Sequence, residues 1–307
     1  MATALVTHSD CMKHEMGAHH PECPARLAAI DDQLISSGIA GFVERYDAPL
    51  ATAEQLARVH PPDYIEEIRA ASPTRGIVHL DPDTAMCPGT WDAVLRAAGA
   101  AVLATDLVMR AEAENAFCSV RPPGHHATPT RAMGFCFFNN VAVAAMHALA
   151  AHGLQRVAVV DFDVHHGNGT EEIFAADDRV LMVSTFQHPF YPYSGTDNPA
   201  SNMVNVPLAA GTGSNGFREA VEQYWMPALE SFKPQMVFFS AGFDAHIEDD
   251  MAMLRLVDQD YAWVTRRIKE VADRYAEGRI VSVLEGGYAL SALGRSVVQH
   301  LRVLGDF

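Results

Sequence analysis

Apolar residues along this chain follow two alternating rhythms. Short, nearly continuous runs rich in β-branched and aromatic residues occupy 116–120, 156–160, 180–184, 236–240 and 280–284. Such runs predict strands buried on both faces, as in a parallel sheet. Between and ahead of them, apolar positions recur at helical spacing. Phe217, Val221, Tyr224, Trp225 and Leu229 follow a Ser214 cap, with Pro227 expected to kink the end of that helix. Tyr261, Val264, Ile268, Val271, Ala272 and Tyr275 share one face of 258–277. The amino-terminal third reads as helical: Pro24 opens a helix gathering Leu27, Ile30 and Leu34, and Thr90 caps another made of small residues.

Strand, helix, strand repeated in this way predicts an α/β fold, a parallel sheet with helices on both faces. No linker, charge block or repeat interrupts it, so one domain is expected over 1–307. Open parallel sheets bind ligands beyond the carboxyl ends of their strands. The segments that follow the five strands are RPPGHH (121–126), DFDVHHGN (161–168), TFQH (185–188), AGFD (241–244) and EGGY (285–288), which places nearly all the reactive side chains on one rim.

Composition narrows the partners. The 307 residues are 49% hydrophobic, enough for a full core, and 38 acidic against 22 basic residues give a net charge of −16. A nucleic-acid binder needs a basic stripe, whereas an acidic field favours cationic substrates. Five cysteines without a CxxC pair predict no disulfide framework, the start MATALVTHSD lacks a secretory pattern, and no run approaches the roughly 18 apolar residues of a membrane span. A soluble cytoplasmic protein is expected, with no nucleic-acid or membrane partner; a homo-oligomer stays open. Fifteen histidines change the picture most, because three adjacent pairs occur (His19-His20, His125-His126, His165-His166) and two of them lie on the rim.

Asp163 and His165 alternate along a strand end and so face one way, with Asp161 one step deeper. Asp244, ending another strand, offers a third ligand and leaves a fourth position for water, as a catalytic zinc site requires. A hydrogen-bonded polar cluster is the competing explanation, against which Asp244 and the second histidine pair weigh together. His125 and His126 follow Pro-Pro-Gly, a rigid turn that presents two proton carriers at fixed positions. In Glu285-Gly286-Gly287-Tyr288, the glycines allow close backbone approach and the phenol is suited to an oxyanion. Aromatic segments at 134–138 and 189–192 can wall a channel or belong to the core.

These segments in this order resemble the histone deacetylase superfamily, closest to its class II and bacterial amidohydrolase-like members. The similar stretches are RPPGHHA (121–127), MGFCFFNN (133–140), VVDFDVHHGNGT (159–170), NVPL (205–208), SAGFDA (240–245) and LEGGY (284–288), with His20-Pro21 and Arg26 extending the match. The resemblance implies an arginase-like three-layer α/β/α fold around a central eight-stranded parallel sheet. It also implies a zinc-dependent deacetylase that hydrolyses the amide between acetate and a primary amine. Zinc would be held by Asp163, His165 and Asp244. His126 would act as general base and then as acid, Tyr288 would donate to the oxyanion, and His125, backed by Asp161, would tune the field. Phe135 and Tyr191 would flank an acyl-lysine stem, with Gly134 and Gly286 beside the substrate and Arg26 in an acetate-exit channel. Asp161 and Ser184, with backbone carbonyls of Asp163, His165 and Thr185, would hold a structural potassium ion.

Three departures from the family pattern carry weight. Asn168 stands where class I members carry an aspartate, which alters the tuning of His126. Met251, seven residues after Asp244, stands where some polyamine deacetylases carry a glutamate gatekeeper, although Glu248, Asp249 and Asp250 nearby offer another attraction for a cation. The segment between Asp10 and Arg26 is too short for a long dimerisation loop. Acetyl-lysine in protein or peptide is therefore the expected substrate, with an acetylpolyamine as the alternative. A dinuclear arginase-type hydrolase, suggested by Asp244-Ala245-His246, leaves the histidine pair and Tyr288 without a role, and an inactive binding homologue would retain every reactive residue for no purpose.

Overall fold

A computed structural model describes residues 2–307. Eight strands form one sheet: β1 (Thr3–Thr7), β2 (Val43–Asp47), β3 (Ala116–Cys118), β4 (Val157–Asp161), β5 (Val180–Gln187), β6 (Met203–Leu208), β7 (Val237–Ala241) and β8 (Ile280–Leu284). Their order across the sheet is β2-β1-β3-β8-β7-β4-β5-β6, and every neighbouring pair is parallel. Helices flank the sheet, which makes this the expected arginase-like α/β architecture. The helices Ala25–Ser36, Leu290–Leu304 and Asp258–Tyr275 pack in succession, and Thr90–Met109 packs on Asn140–Ala151.

All five expected strands are present. The first stops at Cys118, because Ser119 and Val120 already leave the sheet toward the RPPGHH turn, and the third runs on to Gln187. The amino-terminal third is not purely helical, since it also supplies β1 and β2. The sequence VERYD of β2 lies at a sheet edge with most of its side chains facing water, and MVNVPL of β6 occupies the other edge with Pro207 exposed. Edge strands need not be apolar on both faces, so neither produces the continuous run that marks a central strand.

The caps also differ in detail. Thr90 and Ser214 are the first helical residues after Gly89 and Gly213 rather than the caps. The Thr90 hydroxyl accepts from Cys87 N at 2.9 Å, and the Ser214 hydroxyl donates to Asp260 at 2.6 Å. Pro227, expected to kink the helix end, follows a π-helical turn at Val221–Trp225 between Ser214–Ala220 and Met226–Phe232. A π turn shifts the hydrogen-bond ladder by one residue just where proline has no N–H to give.

One polar knot sits inside this apolar frame. The carboxylate of Glu22, fully buried, accepts from Arg26 Nη1 at 3.1 Å and from both Nε and Nη2 of Arg121, and faces His14 Nε2 at 3.4 Å. Burial would raise the Glu22 pKa, but Arg121, His14 and Arg26 hold it well below the usual range. A depressed carboxyl contributes stability above its unfolded pKa of about 4.3, and that contribution is lost as pH falls through the lowered folded value. Glu22→Ala leaves two buried guanidinium groups uncompensated and should destabilise the fold by about 3–5 kcal/mol in denaturant unfolding at neutral pH; an unchanged midpoint would show that the knot is not needed.

Candidate active site

The carboxyl ends of β3, β4, β7 and β8 lie side by side, so the segments that follow them meet. Asp163 and His165 continue from β4, Asp244 from β7 and Gly286 from β8. One ligand atom from each of Asp163, His165 and Asp244 lies within 4.8 Å of the others, and all three residues are buried. His165 Nδ1 is 3.0 Å from Asp163 Oδ1 and 3.2 Å from Asp244 Oδ2. Donor atoms about 2.0–2.1 Å from a tetrahedral ion lie roughly 3.3 Å apart, so this spacing fits zinc.

The outer sides of the carboxylates are committed to backbone. Asp163 Oδ1 accepts from His165 N and Oδ2 from Gly286 N, both at 2.9 Å, while Asp244 Oδ1 accepts from Val164 N at 2.9 Å. Asp244 Oδ2 is buried and accepts no well-aligned hydrogen bond; its near neighbour is His165 Nδ1 at 3.2 Å, and a cation between the two would satisfy it. A side chain at Gly286 would collide with the Asp244 and Asp163 carboxylates, so glycine keeps this space open. Burial alone would lower the pKa of His165, yet Asp163 and Asp244 push it up to about 10. The carboxylates therefore hold a proton on the atom where they would hold a metal.

A second His and Asp cluster behaves differently. His147 Nε2 and His152 Nε2 both reach Asp106 Oδ1, at 2.8 and 2.7 Å, while Arg58 Nη1 donates to His147 Nδ1 at 2.6 Å. The arginine fixes the His147 proton on Nε2, directed at Asp106, and the cluster is a hydrogen-bonded staple between helices. His246, the residue that suggested a dinuclear site, faces Asp258 at 3.2 Å and accepts from Glu248 N at 3.1 Å. It stands outside the Asp163, His165 and Asp244 cluster.

The neighbouring histidines have opposite tendencies. His125 Nδ1 donates to Asp161 Oδ2 at 3.0 Å; burial would lower its pKa, but Asp163 and Asp161 bring it up to about 10. His126 lies with its ring centroid 4.0 Å from that of His125, and burial together with the charges of His125 and His165 drives its pKa well below the ordinary value. Its Nδ1 faces Asn168 Oδ1 at 2.8 Å, an acceptor, so the His126 proton sits on Nδ1 and Nε2 is left as a free base. Glu285 clamps the turn behind the pair, its Oε2 accepting from Gly124 N at 2.6 Å and His125 N at 3.1 Å.

A cavity of about 150 Å³ leads to these groups, lined by His125, His126, His165, Gly134, Phe135, Tyr191, Met251, Gly286 and Tyr288, together with Asp83, Pro123 and Phe190. Gly134 lies at φ +56 against the His126 ring, where a side chain would collide. Burial, opposed by Arg26, puts the Tyr288 pKa well above its usual value, so the phenol keeps its proton. Arg26 lies behind it: the guanidinium is 4.9 Å from the Tyr288 ring centroid, Nε donates to Gly287 O at 2.6 Å and Nη2 donates to Glu285 O at 2.5 Å. Below the cluster, Asp161 and Ser184 pair in register across β4 and β5, with Thr185 next in the strand and buried. Their side-chain donor atoms are all oxygen, the kind that hard cations take.

A model of the histone deacetylase domain matches residues 20–304. The chain belongs to the histone deacetylase family. Membership makes it an amidohydrolase of the deacetylase type. It is 40% identical over 294 residues to the histone deacetylase-like amidohydrolase of Pseudomonas aeruginosa, covering 92% of this chain and 77% of that protein. It is 37% identical over 334 residues to the polyamine deacetylase HDAC10 of Mus musculus, covering 100% of this chain and 49% of the relative. Among solved structures, the HDA15 HD domain superposes with a TM-score of 0.92 at 32% identity, covering 99% of this chain and 88% of that one.

Phe190 falls in the 189–192 segment expected to wall a channel or belong to the core, whereas sequence reasoning did not single out Asp83 or Pro123 as lining residues, nor the clamp made by Glu285. Phe190 had a signal, since it sits next to Tyr191 in the aromatic segment, and its ring stacks on His165 at 5.6 Å. Asp83 had none, because it comes from a loop remote in sequence from the rim. Among the described residues no helix is long and apolar enough to cross a membrane. Asp163→Ala should abolish zinc binding, measured by elemental analysis after dialysis under conditions that saturate the parent; stoichiometric zinc in the variant would refute the ligand assignment.

Proposed function

We propose that this protein is a zinc-dependent deacetylase acting on N-acetylated primary amines, with acetyl-lysine in protein or peptide as its preferred substrate. The observation that carries this proposal is one narrow cavity lined by His165 of the metal-ready cluster, by the neutral His126 and by the protonated phenol of Tyr288. Zinc bound by Asp163, His165 and Asp244 would supply Lewis acidity toward water and carbonyl oxygen. His126 takes the proton of the attacking water on Nε2 and returns it to the departing amine nitrogen. Tyr288 donates its O–H to the carbonyl oxygen as that oxygen gains charge. His125, kept cationic by Asp161, raises the local positive potential and discourages protonation of His126. Phe135 and Tyr191 flank the methylene stem and exclude water, Arg26 lies on the path for acetate, and potassium at Asp161, Ser184 and Thr185 would stiffen the support of His125.

An acetylpolyamine is the second candidate substrate. Asp83 supports it, because a partly buried carboxylate on the cavity wall suits a second ammonium group, as does the net charge of −16. Burial and neighbouring Asp81 raise the Asp83 pKa. Met251 favours acetyl-lysine, since a thioether offers no charge to a distant amine. A kinetic comparison of an acetyl-lysine peptide, acetylputrescine and acetylspermidine should give the highest kcat/KM with the peptide; the reverse order would assign the polyamine. Tyr288→Phe should lower kcat by about 10² or more with zinc retained, and parent-like turnover would remove the tyrosine from the mechanism.

A further inference from the structure

We infer that Asp249 is a positioning residue for Tyr288, holding the phenol in the cavity from the loop that also carries Asp244. The inference rests on the role of Tyr288 proposed above. Counted among the rim acids in the sequence, Asp249 instead turns inward and is only 5% exposed. Its Oδ2 accepts from Tyr288 N at 2.6 Å and Ala289 N at 2.9 Å, and its Oδ1 accepts from Met251 N at 3.1 Å. Its own N–H donates to His246 O at 2.9 Å, which fixes the carboxylate to the turn that follows Asp244.

Tyr288 needs such a clamp. It follows Gly286 and Gly287, the latter at φ +118, and glycines leave a chain with little stiffness of its own. Ala289, directly ahead of the helix Leu290–Leu304, has no side chain able to cap it. An anion from another loop meets both the unpaired N–H groups and the positive end of the helix dipole. Charge-assisted bonds to two successive N–H groups fix the Tyr288 backbone, while Arg26 and Phe135 meet the ring. The third bond ties Met251 to the same carboxylate, so one side chain joins the rim, the oxyanion donor and the turn beside a metal ligand.

A double-mutant cycle on the zinc-loaded protein, with an acetyl-lysine peptide as substrate, tests this. Asp249→Ala should lower kcat by about tenfold or more while zinc content and the far-UV spectrum stay those of the parent. In a Tyr288→Phe background the same change should cost less than about twofold, because the group being positioned is gone. Asp249→Asn preserves size and loses the charge; it should lower kcat severalfold, with that loss also vanishing beside Tyr288→Phe, and it carries the test if the alanine variant does not fold. Parent-like kcat in both Asp249 variants, or a full multiplicative loss in the Tyr288→Phe background, would overturn the inference with the role of Tyr288 intact. Parent-like kcat in Tyr288→Phe alone would overturn both.

Discussion

Asp163 and Asp244 press two carboxylates against the Nδ1 of one imidazole, with all three side chains buried at the ends of two neighbouring strands. Like charges at such range in a low-dielectric interior cannot both stay ionised without a cation. Burial and the Asp163 charge lift the Asp244 carboxyl to about 6, and the proton on His165 relieves part of the repulsion. A dication answers the same demand more fully. The surrounding backbone is arranged for it: Gly286 comes close because it has no side chain, and N–H groups of Gly286, Val164 and His165 orient the oxygens without neutralising them.

The histidine pair inherits its division of labour from the same charges. His125 looks toward Asp163 and Asp161, which push its pKa up despite burial; His126, buried beside the charges of His125 and His165 and bonded to Asn168, has its pKa pushed down. Two chemically identical residues, adjacent in sequence, acquire opposite protonation through what each faces. Asn168 matters here because an amide oxygen orients the His126 ring without adding a charge that would raise its pKa.

Much of this is legible in the sequence. Central strands bury both faces, so their apolar runs stand out, and the rule that ligands sit beyond the carboxyl ends of a parallel sheet gathers Asp163, His165, His125, Asp244 and Tyr288 on one rim. The edges were harder to see, because β2 mostly faces water and the apolar run of β6 is broken by Asn205 and an exposed Pro207. Side-chain direction was harder still. Glu248, Asp249 and Asp250 look alike in sequence, yet Asp249 points inward to backbone N–H groups while Glu248 pairs with Arg295. Asp83 reaches the cavity from a distant loop, and nothing in a local pattern reports such an encounter.

Zinc titration of metal-free protein, followed by the hydrolysis of an acetyl-lysine peptide, tests the central claim most directly. Activity should be absent without metal, rise with added zinc and reach its plateau at one equivalent per chain. Turnover in the metal-free protein, a plateau only at two equivalents, or a zinc-saturated chain that hydrolyses neither acetyl-lysine nor acetylpolyamine would contradict a single buried zinc centre as the origin of the activity.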